Sequence, residues 1–129
     1  MKIISVRSQK ANYKICVGKR LLSQTGKWIA PLAKPGAKMM IVSQKNLRPY
    51  LKTLTDSLKG RGFEVHLHML PGGEAAKSEQ QMFRLCHALL AKKFERKDIV
   101  VAVGGGVVSD LSGFAASVYL RGIRYINVA

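Results

Sequence analysis

Acidic residues are scarce in this 129-residue chain: seven Asp and Glu stand against 22 Lys and Arg, for a formal net charge of +15. Cysteine is scarcer still. Cys16 and Cys86 each fall inside an apolar segment and lack metal-ligand spacing, so no disulfide framework is possible and both read as reduced, buried thiols. Aromatic residues make up only 7% of the chain, and the cations are therefore not interleaved with rings on which bases stack. No apolar run approaches the ~18 to 20 residues that span a bilayer. The apolar part of the opening MKIISV is too short for a signal peptide, and the chain is expected to be cytoplasmic, without a membrane partner. Repeats, linkers and low-complexity stretches are missing too, which leaves one domain over residues 1–129.

What is present is a globular composition, 47% hydrophobic, enough for one buried core. The cations are spread from Lys2 to Arg124 without a long block. Their one tight group, Lys92, Lys93, Arg96 and Lys97, stands at an expected helix end, where positive charge meets the negative end of the helix dipole. That distribution argues against a dedicated nucleic-acid partner, while the net charge favours anionic ligands through long-range attraction.

The pattern alternates strands with helices. Residues 3–6 and 13–17 read as short strands, and Leu21, Leu22, Trp28, Ile29 and Leu32 as a short helix ended by Pro35-Gly36. Residues 38–43 (KMMIVS) form an apolar run too short for a helix, hence a buried strand. Leu47, Leu51, Leu54 and Leu58 follow at helical spacing until Gly60 and Gly62. Residues 64–70 alternate as a strand with Val65, Leu67 and Met69 on one face, leaving His66 and His68 on a face expected to be exposed. Ser78 with Gln81 marks a helix start, and Met82, Cys86, Leu89 and Leu90 give that helix an apolar stripe. Residues 99–103 form a second buried strand. A helix with Val107, Leu111, Phe114, Ala115 and Val118 on one face follows, then a last strand over 123–128. Such alternation predicts an α/β fold, Rossmann-like, with a largely parallel sheet and helices on both faces.

Two loops carry the chemistry. Gly104, Gly105 and Gly106 lie between a buried strand and a helix start, where backbone can approach a ligand and free N–H groups favour an anion such as a pyrophosphate. Gly104-x-Gly106-x-x-Ser109 nearly matches a dinucleotide fingerprint, but the acid expected about 20 residues on is replaced by Tyr125-Ile126-Asn127. No Lys-Ser/Thr pair makes it a Walker motif, and Asp110 also suits a plain helix N-terminus. The second loop, Leu70-Pro71-Gly72-Gly73-Glu74-Ala75-Ala76-Lys77-Ser78, again joins strand to helix. Glu74 suits the hydroxyls of a ribose and Lys77 a phosphate; as a solvated charge pair the two need no ligand at all. In a parallel sheet both loops fall at the carboxyl edge, where ligands bind.

In this order, the segments LPGGEAAKS (70–78), GGGVVSDLSGFAA (104–116) and YLRG (119–122) resemble the 3-dehydroquinate synthase family, over the whole chain but only the amino-terminal part of the family's length. The resemblance implies an NAD-binding domain of a two-domain lyase of the shikimate pathway, which uses NAD and a divalent metal, zinc or cobalt. That enzyme eliminates phosphate from a seven-carbon phosphorylated keto acid and cyclises it to 3-dehydroquinate. It further implies that Asn46, Gly72, Gly73, Glu74, Lys77, Gly104, Gly105, Gly106, Val107 and Asp110 hold NAD, and that Arg121 sits near the substrate phosphate across the interface of a homodimer. Gln44, where the family usually has Asp or Asn, and Gly72, where it often has Asp, depart from the pattern. The family continues with a Pro-Thr-Thr-type loop, a lysine-bearing glycine motif and a helical domain with Glu-His-His metal ligands. These 129 residues are accordingly expected to carry no catalytic residue and no metal site, and to be inactive alone. His66 and His68 lack a third ligand, and His87 has no evident partner. Two other readings remain: a related sugar-phosphate cyclase or metal-dependent polyol dehydrogenase, and a non-catalytic phosphate- or nucleic-acid-binding module.

Overall fold

The computed structural model describes residues 1–129. Strands β1 (Lys2–Arg7) and β2 (Asn12–Val17) pair antiparallel, with Ile4 opposite Ile15 and Val6 opposite Tyr13. Ser8 closes their turn: its Oγ donates to the Ala11 carbonyl at 2.8 Å and accepts from the Ala11 N–H at 3.0 Å. This hairpin is a sheet of its own. Helix α1 (Thr25–Ile29) follows, between single 3-10 turns. It lies so close to the next long helix that a Cβ on Gly26 would stand 2.1 Å from the Ser57 carbonyl oxygen.

The remainder is a repeated strand–helix unit: β3 (Lys38–Gln44), α2 (Arg48–Lys59), β4 (Glu64–Leu70), α3 (Glu79–Ala91), β5 (Ile99–Val103), α4 (Gly106–Val118) and β6 (Arg124–Val128). The four strands run parallel in the order β4-β3-β5-β6. Because side chains alternate across a strand, the continuous apolar runs of β3 and β5 feed two cores. Met40, Val42, Val100 and Ala102 face Leu85 and Leu89 of α3 and Leu111 and Ala115 of α4. Met39, Ile41, Ile99 and Val101 face Leu54 and Leu58 of α2 and Ile29 of α1. The fold is α/β and Rossmann-like, with helices on both faces, as the alternation predicts. No helix is long and apolar enough to cross a membrane.

Three expectations about faces need correction. In α4 the buried residues are Val108, Leu111, Ser112, Ala115 and Ala116, whereas Phe114 is 58% exposed and Val118 is exposed as well. Ser109, Asp110, Gly113 and Ser117 make a polar side, and the inward side is rotated away from the apolar stripe so that it takes in Ser112 and Ala116. Small Ala115 and Ala116 lie inward, and Phe114 is left out. In α3, Leu85 joins Met82 and Leu89 in the core, and Leu90 is exposed. On β4, His66 and His68 pair across the ladder with Met40 and Val42, which point into the α3–α4 core. Both rings are therefore half-buried rather than exposed, and Leu67 on the other face of this edge strand is the exposed residue.

Buried polar groups tie the amino ends of the strands. Asp98, 1% exposed, accepts from the backbone N–H of Lys38 at 2.8 Å and of Glu95 at 2.7 Å. The carbonyls of Lys92 and Lys93, at the end of α3, accept from Lys38 Nζ at 2.8 and 3.1 Å. The cation that answers this helix terminus thus comes from β3, and the cluster at 92–97 is not what supplies it.

Candidate functional site

The carboxyl ends of β3, β4, β5 and β6 meet along one edge and are cross-tied there. The buried Ser43 Oγ donates to the Val103 carbonyl at 2.8 Å, and Gly104 N–H donates to the Val128 carbonyl at 3.1 Å. Gln44 Nε2 donates to the Pro71 carbonyl at 2.9 Å, which fixes the loop after β4 to the end of β3.

The three glycines do different work. Gly104 has φ +151°, and a Cβ there would stand 2.9 Å from Val108 Cγ2 and 3.2 Å from Leu47 Cδ1, so the turn itself requires glycine. Gly105 has an ordinary φ of −86°, and Gly106 opens α4. A Cβ on either would meet nothing within 4 Å. The absent side chains leave an open shelf above the start of α4, which no side chain caps. Exposed N–H groups at a helix start beneath such a shelf suit a phosphate or pyrophosphate. Val107 is half-buried and packs against the α3–α4 core.

The loop between β4 and α3 flanks this shelf. Gly73 takes φ +71°, and a 3-10 turn over Glu74–Ala76 follows, anchored by fully buried Ala76. Ser78 then caps α3, its Oγ accepting from the Gln81 N–H at 3.2 Å. Lys77 Nζ reaches Asp110 Oδ2 at 3.0 Å, and this contact, more than the charge of Glu74, raises the lysine pKa above its ordinary value. Sequence spacing paired Lys77 with Glu74. The partner in space comes from 33 residues along the chain, and no local signal could reveal it.

Two grooves open on this edge. One, of about 560 Å³, is lined by Gln44, Lys45, Asn46, Gly72 and Gly73. The other, of about 240 Å³, lies between the starts of α3 and α4, with Lys77 and Asp110 on its polar rim and Met82, Leu111 and Phe114 as its apolar wall. Asn46, Gly72, Gly73, Glu74, Lys77, Gly104, Gly105, Gly106, Val107 and Asp110 therefore come together on one sheet edge. Lys45, beside Asn46 after a buried strand, lines the same groove. Arg121 is not brought to this edge. It lies beyond the far end of the 13-residue α4, ~20 Å away at ~1.5 Å per residue. There it is exposed, with φ +62°.

The histidines make no second site. His66 stacks edge-on against Phe94 at 5.8 Å, and no group of three or more His, Cys, Asp or Glu side chains comes together to hold a metal ion.

Residues 67–129 match the family described as 3-dehydroquinate synthase N-terminal. Over 128 residues the chain is 39% identical to the 3-dehydroquinate synthase of Rhizobium rhizogenes, covering 98% of this chain and 34% of that one. The chain is thus similar to the amino-terminal domain of 3-dehydroquinate synthases. It spans about a third of the length of the curated relatives it matches, aligning with the family's amino-terminal domain. Its fold is shared with two solved cyclases. The crystal structure of 2-deoxy-scyllo-inosose synthase complexed with carbaglucose-6-phosphate, NAD+ and Co2+ superimposes with a TM-score of 0.84 at 21% identity, over 98% of this chain and 34% of that chain. The 2-epi-5-epi-valiolone synthase of Streptomyces hygroscopicus subsp. jinggangensis, with NAD+ and Zn2+ bound, gives a TM-score of 0.75 at 29% identity, again over 98% and 34%.

Proposed function

We propose that these residues are the NAD-holding domain of a 3-dehydroquinate synthase, the lyase that eliminates phosphate from a phosphorylated seven-carbon keto acid and closes the ring. One observation carries the reading: the side-chain-free shelf at Gly105 and Gly106, at a helix start and beside Lys77 and Asp110, within a chain similar to this family's amino-terminal domain. The shelf receives the pyrophosphate on backbone N–H groups. Asn46 and the Gly72–Gly73 turn line the groove on one side of it, and Glu74 offers a carboxylate to ribose hydroxyls. When bound, NAD supplies a hydride acceptor. The residues described here bind and orient it, and none is assigned a catalytic role. The donor set does not fit a divalent metal, so no metal-dependent step is assigned to these residues.

Arg121 lies ~20 Å from the cofactor edge along α4, and the family resemblance implies that it meets a substrate phosphate across a subunit interface, which makes a homodimer part of this proposal. A related sugar-phosphate cyclase is the second reading, favoured by the fold shared with the two solved cyclases. The deciding experiment is a calorimetric titration with NAD alongside a thermal-shift series. Weak, saturable binding with a small stabilisation is expected, since half a site contributes modest binding energy. No heat at millimolar NAD would overturn the reading. In a phosphate-release assay with added zinc, the 129-residue chain alone is expected to be silent.

A further inference from the structure

Cations run the length of the sequence, but the fold gathers those without acidic neighbours on one side. Residues 1–63 hold 14 Lys and Arg with Asp56 as the sole acid, a net of +13; residues 64–129 hold eight against six, a net of +2. The division follows the two helical layers. On one face of the sheet, α1 and α2 carry Lys27, Arg48, Lys52 and Lys59 against Asp56. On the other, α3 and α4 carry Arg84 against Glu79 and Asp110. Asp56 is already held by Lys52 at 2.7 Å, and no other close ion pair lies before Glu64.

Close packing concentrates this charge at the far end of α2. The Gly26 N–H donates to Ser57 Oγ at 2.9 Å, and a Cβ on Gly26 would stand 3.1 Å from Arg61 Cγ. Lys27 is thereby brought to the same end of α2 as Lys59 and Arg61, and all three are exposed. A second copy offers this face no acidic counterpart, since Asp110 is paired with Lys77. Bilayers and single strands fit poorly as well. Between Lys19 and Arg61 the only large apolar side chains in the open are Leu32 and Tyr50, too few to insert among lipids or to stack successive bases. A duplex needs neither, because its backbone presents one charge per ~1.7 Å of axis and is held by cations alone. Packed helices lie ~8 to 10 Å apart, so cations on α1 and α2 form rows on the scale of a groove ~12 Å wide.

We propose that the α1–α2 face docks the phosphate backbone of a double-stranded nucleic acid without regard to base sequence, with Lys27, Lys59 and Arg61 at its centre. The proposal goes beyond the cofactor reading and stands whether or not NAD binds. Its test is the anisotropy of a short labelled duplex between ~50 and ~200 mM salt. Affinity should fall with a log–log slope of roughly −3 or steeper, at about −0.9 per phosphate contacted. Lys27→Gln, Lys59→Gln and Arg61→Gln together should weaken binding roughly tenfold and make the slope shallower by about 2 to 3. Equal charge removed on the α3 side of the sheet, as Lys92→Gln, Lys93→Gln and Lys97→Gln, should cost less than about threefold. If the first triple variant melts early, Lys27→Gln alone should still weaken binding and reduce the slope by about 0.9. No binding at ~50 mM salt overturns the proposal. So do equal losses in the two triple variants, which show net charge alone at work. Tighter binding to phosphatidylserine-containing vesicles or to polyglutamate, at matched charge concentration, overturns it in favour of a bilayer or an acidic protein.

Discussion

Lys77 Nζ and Asp110 Oδ2, 3.0 Å apart, join the loop after β4 to the second turn of α4 across the mouth of the candidate cofactor site. Both side chains are more than half exposed, so the pair is screened by water and contributes little to folding. Lys77→Met is therefore expected to leave the melting temperature unchanged while weakening NAD in calorimetry. Equal NAD affinity in the variant would remove Lys77 from the site.

Gly104 and Gly105 are adjacent yet should fail in opposite ways. Gly105→Val places a side chain in open space at an ordinary φ, so the chain should fold normally and lose NAD binding. Gly104→Ala forces a Cβ against Val108 at φ +151° and should cost about 1–3 kcal/mol of stability. Urea denaturation of both, beside NAD titration of Gly105→Val, separates the two roles. A Gly105→Val chain that still binds NAD shows that the shelf is not where the pyrophosphate lies.

His68 provides a pH signature. Burial, aided by the charge of Arg84, lowers its pKa below the usual histidine value near 6.5. The unfolded chain then takes up the proton first as pH falls, so the contribution of neutral His68 is complete above ~6.5 and is lost as pH drops through the lower, folded value. Thermal melts between pH 7.5 and 5 should show a declining melting temperature. The decline should be shallower in His68→Phe, which cannot titrate; parallel curves would mean that His68 stays solvated.

Association should depend on salt. Phe83 and Leu90 on α3, with Phe114 and Val118 on α4, are exposed apolar side chains on two helices that pack together. Apolar patches of that kind find partners, and the +15 charge opposes this at low salt. Sedimentation should therefore show more dimer or larger species as added salt shortens the screening length to about 8 Å and below. Phe114→Ser should reduce them. A monomer at both low and high salt, at tens of micromolar, speaks against any such interface.

The order of elements was legible from the sequence because local signals suffice for it. Short β-rich runs bounded by glycine and proline gave the strands, Ser78 gave the start of α3, and three glycines after IVVAV gave the turn into α4. The cofactor loops were legible for the same reason, since each is a contiguous motif. Tertiary structure alone decided what depends on neighbours distant in sequence. Which residues of α4 turn inward depended on the sheet it meets, because close packing there selects the small Ser112, Ala115 and Ala116 and leaves Phe114 and Val118 of the apolar stripe outside. His66 and His68 became half-buried because β3 sets their register against Met40 and Val42. Lys77 met Asp110, and Arg121 fell at the opposite end of α4, because parallel strands gather loop ends on one edge while the helices carry the chain back to the other.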